Sequence, residues 1–306
     1  MLTGPAGVPA RFYAHAGGRP TAVVFTDDGA DPRVVDLTER LTGRTDVALC
    51  LVVSKEPAAG VAAWSDPDGT VAAAYGVPPG GPTAVVLDPN LRVVGVVAGD
   101  RLAADVPALL DGAVDRGPAL VVATQAPVLL LPRVLDAAYR DRLIRWWERE
   151  GAVDTGVART SGDALDAGYK RRRDHTVSDP DLLRELSSVV GRRVLPEVRK
   201  AFAFRANRFE GFKIACYDAA TGGFFRQHRD NLTPSTAHRV FALTLNLNDG
   251  YEGGQLRFPE YGNQLYRPDP GAALVFSCAH LHEVRDVTEG RRFVLLSFLY
   301  GDAGAR

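Results

Sequence analysis

From Lys213 to Tyr300 the chain is a series of short β-rich runs cut by Gly, Pro and Asn, a pattern that leaves few folds open. Lys213-Ile-Ala-Cys-Tyr217 precedes a Gly222-Gly223 turn. Arg239-Val-Phe-Ala-Leu-Thr-Leu-Asn-Leu247, Gln255-Leu-Arg-Phe258, Ala272-Ala-Leu-Val-Phe276 and Phe293-Val-Leu-Leu-Ser-Phe-Leu-Tyr300 follow, with Gly253-Gly254, Gly271 and Gly290 between them. A single hairpin of such runs is marginal in water, whereas two stacked sheets can bury their apolar faces. The expected architecture is therefore a β-sandwich or jelly roll.

Among the ionisable residues inside this pattern are His228, Asp230, His282 and Arg292. Residues i and i+2 of a strand point to one face, so His228 and Asp230 are expected to reach one metal ion. Two histidines and a carboxylate leave open metal positions and are the ligand set of non-haem Fe(II) oxygenases. His280 shares strand parity with His282, so alternation alone does not separate them. Arg292 opens the last run, where a guanidinium facing the interior binds a carboxylate by two parallel hydrogen bonds.

The segment from about Asn207 to Gly301 resembles the double-stranded β-helix core of the 2-oxoglutarate/Fe(II)-dependent dioxygenases, nearest to their prolyl-hydroxylase-like branch. Cys216-Tyr217, His228-x-Asp230-Asn231, Gly253-Gly254-x-Leu256, Phe276 and the run from His282 through Val284, Val287 and Gly290 to Arg292 carry the likeness. The resemblance implies that His228, Asp230 and His282 hold Fe(II). It implies that Arg292 binds the distal carboxylate of 2-oxoglutarate and that Tyr217 hydrogen-bonds the same co-substrate. Its spacing favours His282 over His280 and Arg292 over Arg291. Asn231 either supports the ligands or ends the strand, and Arg239 either meets substrate or is solvated. Because Asp230 is present, the family's chemistry implies hydroxylation or a related oxidation and not halogenation. The same resemblance implies O2 as the second co-substrate and succinate and CO2 as products, and it allows ascorbate.

The first half alternates strands and helices, which argues for an α/β layer fold. Thr21–Thr26, Val47–Val53, Pro82–Asp88 and Leu91–Val97 read as strands, the last two paired around Pro89-Asn90. Pro32–Leu41 has helical spacing. This half resembles a thioredoxin-like or peroxiredoxin-like domain through Ser65-Asp-Pro-Asp-Gly69, Ala74-Tyr-Gly76 and Pro82-Thr83, with Pro82 expected as a cis-proline. The turn after Phe25 carries Ala30 and Arg33 where thioredoxins have cysteines. The thiolate is the nucleophile in that chemistry, so redox activity should be absent and a partner-binding or packing role is expected. Cys50 reads as core.

The fold class expected is thus an N-terminal thioredoxin-like α/β domain (1–117) followed by a helix-buttressed jelly-roll dioxygenase domain (118–306). In the latter, helical support spans 133–205 and the β core 207–301. Helices are expected over Leu135–Glu150, Asp179–Val190 and Leu195–Phe202, with Trp146 and Trp147 packing. Lys170-Arg-Arg-Arg173 reads by default as a solvated basic loop, with a binding patch as the alternative. The apolar stretch Pro118–Leu131 is too short and interrupted to span a membrane. Net charge is −1 and the pI about 6.6, which implies no general nucleic-acid electrostatics. No secretory signal is visible at Met1, and three cysteines without disulfide or metal spacing fit a reducing cytoplasm. The leading functional expectation is hydroxylation of an unassigned small-molecule, peptide or protein substrate. A protein prolyl hydroxylase is the narrower alternative, and a non-catalytic oxygen or metabolite sensor the alternative of another class.

Overall fold

The computed structural model describes residues 11–55, 63–113, 121–155 and 166–301. The chain divides into two compact units, Met1–Leu120 and Val121–Arg306. The boundary expected between residues 117 and 118 falls outside the described residues, as does the start of the Pro118–Leu131 stretch.

In the first unit the elements run α1 (Phe12–Ala16), β1 (Thr21–Thr26), α2 (Pro32–Leu41), β2 (Ala48–Val53), β3 (Ala63–Ser65), α3 (Thr70–Ala74), β4 (Thr83–Leu87), β5 (Val93–Ala98) and α4 (Leu102–Ala113). The sheet order is β3-β2-β1-β4-β5, with β1, β2 and β3 parallel and β4 and β5 antiparallel. The unbroken apolar runs of β1 and β4 suit central strands covered on both faces. Ala22, Val24, Ala84 and Val86 pack with Val34 and Leu37 of α2 and with Leu102, Val106 and Leu110 of α4. Val23, Phe25, Cys50, Val85 and Leu87 pack with Trp64 on the other face. Asp31 caps α2 by accepting the Arg33 N–H at 2.9 Å, with Pro32 beginning the helix.

Pro82 departs from expectation: its peptide bond is trans, like every bond among the described residues. Gly80 and Gly81, at φ of 109° and 152°, make the approach to β4 without it. The Pro82 carbonyl then accepts the Gly99 N–H at 3.0 Å.

The second unit opens with β6 (Leu129–Leu131), α5 (Ala137–Glu150), β7 (Val153–Asp154), β8 (Lys170–Arg171), β9 (Arg173–Thr176), α6 (Pro180–Arg193), α7 (Leu195–Phe202) and β10 (Arg208–Phe209). Its β core follows as β11 (Lys213–Asp218), β12 (Phe224–His228), β13 (Phe241–Asn246), β14 (Glu252–Gly253), β15 (Leu256–Arg257), β16 (Leu265–Tyr266), β17 (Ala273–Ser277), β18 (His282–Val284), β19 (Val287–Glu289) and β20 (Arg291–Tyr300). The major sheet runs β6-β17-β13-β20-β11-β9-β7, with β10 also paired to β20. The minor sheet runs β16-β15-β18-β12-β8, and β14 pairs with β19.

Alternation divides the major sheet between two cores. Ile214, Cys216, Leu243, Leu245, Val275, Phe293 and Leu295 face outward against Leu143 and Trp147 of α5, Leu182 and Leu186 of α6, and Val198 of α7. Ala215, Tyr217, Ala242, Leu274, Phe276 and Val294 face inward, where Leu256 and Val284 of the minor sheet meet them. The helices thus back the major sheet, and the space between the sheets is left for the site. Trp147 is a packing residue, edge-on to Phe293 with centroids 5.2 Å apart. No helix among the described residues is long and apolar enough to cross a membrane.

Candidate active site

His228 is the last residue of β12 and His282 the first of β18, and the two stand opposite each other in the antiparallel register. Their ring centroids are 4.2 Å apart. Asp230 departs from the expectation of a shared strand, since it lies in the turn just past β12. Its N–H donates to the Cys278 carbonyl at 2.9 Å, which ties that turn to the end of β17. One Asp230 oxygen is 3.5 Å from His228 Nε2 and the other 3.4 Å from His282 Nε2. One ligand atom from each of the three side chains lies within 4.8 Å of the others.

Each histidine is oriented by the backbone. His228 Nδ1 is 2.7 Å from the Arg226 carbonyl, and His282 Nδ1 is 3.0 Å from the His280 carbonyl. A carbonyl only accepts, so Nδ1 carries the proton and Nε2 presents a lone pair toward Asp230. Burial pushes His282 down to about 4, against the opposing pull of Asp230, so its imidazole is neutral at pH 7. Burial alone would raise the Asp230 carboxyl. The neighbouring His282 and His228, with Arg239 beyond them, outweigh it and hold the group at about 2. A carboxylate and two oriented imidazole nitrogens are the donor set of an Fe(II) facial site, so the residues fit that ion.

The cluster lines a cavity of about 830 Å³ between the sheets. Arg292 lines the same cavity and is 3% exposed. Gly290, at φ 67°, makes the turn from β19 into β20, and a Cβ there would meet the Gly250 carbonyl oxygen at 2.5 Å. Gly254 leaves room for the arginine stem, because a Cβ there would stand 2.9 Å from Arg292 Cδ. Tyr217 is opposite Arg292 in the β11–β20 register, and the guanidinium carbon lies 5.4 Å from the tyrosine ring centroid. Among the described residues no carboxylate or carbonyl pairs with the Arg292 side chain. A buried cation without a counter-charge is costly, and a carboxylate entering the cavity would compensate it.

The competing residues are elsewhere. Arg291 points outward and pairs with Glu148 at 3.0 Å. His280 precedes β18 and packs its ring 5.1 Å from Tyr261, serving His282 through its backbone oxygen. Asn231 is half-buried in the turn after Asp230. Arg239 is not solvated: it makes a bidentate pair with Glu210 at 2.8 Å through each nitrogen. It also donates to the Asp230 carbonyl at 3.3 Å and lies over Phe298.

The basic run Lys170–Arg173 is the main residue set that sequence reasoning misplaced. It forms no solvated loop. β8 pairs with β12 on the minor sheet and β9 with β11 on the major sheet, so the run is the corner joining them. Lys170 is 8% exposed and Asp174 1%. Arg172 forms a bidentate pair with Asp174 and lines the cavity. The Arg172-x-Asp174 spacing, which brackets a strand start, was the available signal.

In the first unit, Cys50 is buried in β2, and burial pushes its thiol up to about 12. Cys216 is likewise pushed up to about 12 by burial, and Cys278 is raised further for the same reason.

Residues 212–300 match the 2OG-Fe(II) oxygenase superfamily. The match opens one residue before β11 and closes on the last residue of β20, so Tyr217, His228, Asp230, His282 and Arg292 fall inside it and Arg172 outside. Over 104 residues the chain is 29% identical to PKHD-type hydroxylases from two Synechococcus strains, JA-2-3B'a(2-13) and JA-3-3Ab. Those alignments take in 32% of this chain and 46% of each relative, so the chain spans about half the length of the curated relatives it matches. Among solved structures, a Pseudomonas putida prolyl-4-hydroxylase is similar at 19% identity and a TM-score of 0.44, over 58% of this chain and 95% of that one. A Trichoplax adhaerens prolyl hydroxylase, in complex with a hypoxia inducible factor peptide fragment, is similar at 16% identity and a TM-score of 0.47. It aligns over 57% of this chain and 84% of that one.

Proposed function

We propose that the chain is an Fe(II)- and 2-oxoglutarate-dependent dioxygenase that hydroxylates its substrate and releases succinate and CO2. The observation that carries the reading is a conjunction in one cavity: a two-histidine, one-carboxylate cluster together with a buried guanidinium that no acid among the described residues neutralises. Either feature alone is compatible with a structural role. His228, Asp230 and His282 would hold the metal, which when bound supplies the activation of O2 coupled to loss of CO2 from the co-substrate. Arg292 binds the far carboxylate of 2-oxoglutarate, and Tyr217 hydrogen-bonds it from the neighbouring strand. The backbone contacts of both Nδ1 atoms keep the Nε2 lone pairs available. Leu256, Phe276, Val284 and Val294 make the intervening walls apolar and exclude water from the reacting end.

A peptide or protein carrying proline is the narrower form of this reading. It is supported by the likeness of Cys216-Tyr217 and His228-x-Asp230-Asn231 to oxygen-sensing hydroxylases. The first unit reads as a thioredoxin-like domain without redox chemistry, supported by its strand order, by Ala30 in the turn after β1 and by Arg33 in the first turn of α2. Its role would be recruitment of the substrate or a partner in the cytoplasm. The test is a screen of peptides and metabolites for products heavier by one oxygen atom. These must appear only with Fe(II), 2-oxoglutarate and O2 together. Substrate consumption without 2-oxoglutarate would reject the proposal.

A further inference from the structure

Arg172 lies outside residues 212–300, and the metal ligands do not account for it. Its side chain is 10% exposed. Nε and Nη2 donate to the two Asp174 oxygens at 2.6 and 2.7 Å, and Nη1 donates to Tyr217 Oη at 3.2 Å. A guanidinium has no lone pair to offer, so the tyrosine oxygen is the acceptor in that contact. The phenolic hydrogen is therefore left for another acceptor. Among the described residues the Tyr217 hydroxyl has no further partner. Tyr217 also lies against Arg292, which has no acid partner among the described residues, and both line the cavity.

Resting on the Fe(II)/2-oxoglutarate reading, we infer that Arg172 is a positioning residue for the co-substrate. Held by Asp174, it fixes the Tyr217 hydroxyl as a donor toward the carboxylate that Arg292 binds. A free phenol can rotate to accept or donate, and Arg172 removes that choice. A hydroxyl that already accepts from a cation is also the stronger donor, because linked hydrogen bonds polarise one another.

The geometry of the support agrees with this role. Thr155 Oγ1 donates to Asp174 at 2.6 Å, and Lys170 Nζ donates to Thr155 at 2.7 Å. Both Asp174 oxygens are thus occupied, so Arg172 cannot swing away without leaving a buried carboxylate under-paired. Arg172 occupies the corner between the sheets, where one side chain can reach Tyr217 of the major sheet while flanking Phe225 of the minor sheet.

A double-mutant cycle on the full chain tests the inference. The dissociation constant of 2-oxoglutarate from the Mn(II)-loaded protein is measured anaerobically by calorimetry for wild type, Arg172→Met, Tyr217→Phe and the double variant. Arg172→Met should weaken binding about tenfold when Tyr217 is present and less than about twofold in the Tyr217→Phe background, since the effect travels through one hydroxyl. Arg172→Met strands Asp174, so the cycle is repeated with Arg172→Met/Asp174→Asn, in which no carboxylate is left unpaired. A merely structural arginine would lower the melting temperature equally in both backgrounds and leave the binding losses additive, which overturns the inference. Unchanged affinity in both backgrounds overturns it too, as does a failure of both versions to fold. A wild-type chain that binds Mn(II) but no 2-oxoglutarate overturns the co-substrate reading itself, and this inference with it.

Discussion

Replacing Arg292 with methionine should move stability and binding in opposite directions. The side chain is 3% exposed and has no acid partner among the described residues, so the folded protein carries a buried charge at a cost. Methionine keeps most of the stem volume and removes the charge, at the loss of one desolvated cation–π contact with Tyr217 worth about 2 kcal/mol. Removing a buried charge that has no counter-charge relieves about 3–5 kcal/mol. The net is a melting temperature higher by about 2–4 °C for each kcal/mol gained. The affinity for 2-oxoglutarate should fall, because a charge-assisted bidentate contact worth about 2–3 kcal/mol is lost, which corresponds to roughly 30- to 150-fold. Calorimetric binding of 2-oxoglutarate to the Mn(II)-loaded chain, with a thermal melt of the same sample, reads both quantities. Arg291→Met is the control, since its pair with Glu148 is solvent-exposed and should contribute less than about 1 kcal/mol. An Arg292→Met protein that binds 2-oxoglutarate as wild type does, or an equal loss from Arg291→Met, would refute the reasoning.

The remaining predictions concern the ligands, the corner network and the thiols. His282→Ala should abolish metal binding, measured by Fe(II) or Mn(II) titration, whereas His280→Ala should retain it, because His280 contributes only its carbonyl. Asp174→Asn should cost about 3–5 kcal/mol in a denaturant melt, because it leaves Arg172 buried and unpaired. Burial alone would raise the Asp174 carboxyl, but Arg172, Lys170 and Thr155 bring it below its ordinary value. A depressed carboxyl contributes its full stability above the unfolded value of about 4 and loses it as pH falls through the folded value. The wild-type melting temperature should therefore drop below about pH 4, and the Asn variant should lack that part of the drop. With burial raising all three thiols, native protein should resist a disulfide reagent at pH 8 and react only on unfolding. Rapid native labelling of Cys50 would contradict the buried assignment.

Much of the fold was legible because its signals are local. α2 begins at Pro32 behind the Asp31 cap and ends at Leu41, as its apolar spacing requires. α7 occupies Leu195–Phe202, and β1 its expected Thr21–Thr26. What was not legible depends on pairing between distant segments. Asp230 reaches the cluster from a turn because Cys278, nearly fifty residues on, accepts its N–H. His280 and His282 look equivalent by parity, yet β18 starts only at His282, where it meets His228 across the minor sheet. Lys170–Arg173 carries four positive charges in a row, which argues for solvent. Burial follows because the segment joins two sheets and one aspartate and one threonine neutralise and bridge its inward members. A cis bond at Pro82 was expected from family likeness, and adjacent glycines make the turn without it.

The most direct test of the central claim is release of labelled CO2 from 1-carboxyl-labelled 2-oxoglutarate by the full chain. It is measured with and without Fe(II), with and without O2, and for Asp230→Ala beside wild type. Release should require both Fe(II) and O2, with succinate formed in equal amount, and should disappear in Asp230→Ala, which retains the two histidines but loses the carboxylate ligand. Release that persists in Asp230→Ala, or that proceeds without Fe(II), would contradict the assignment of this cavity as a 2-oxoglutarate oxygenase site.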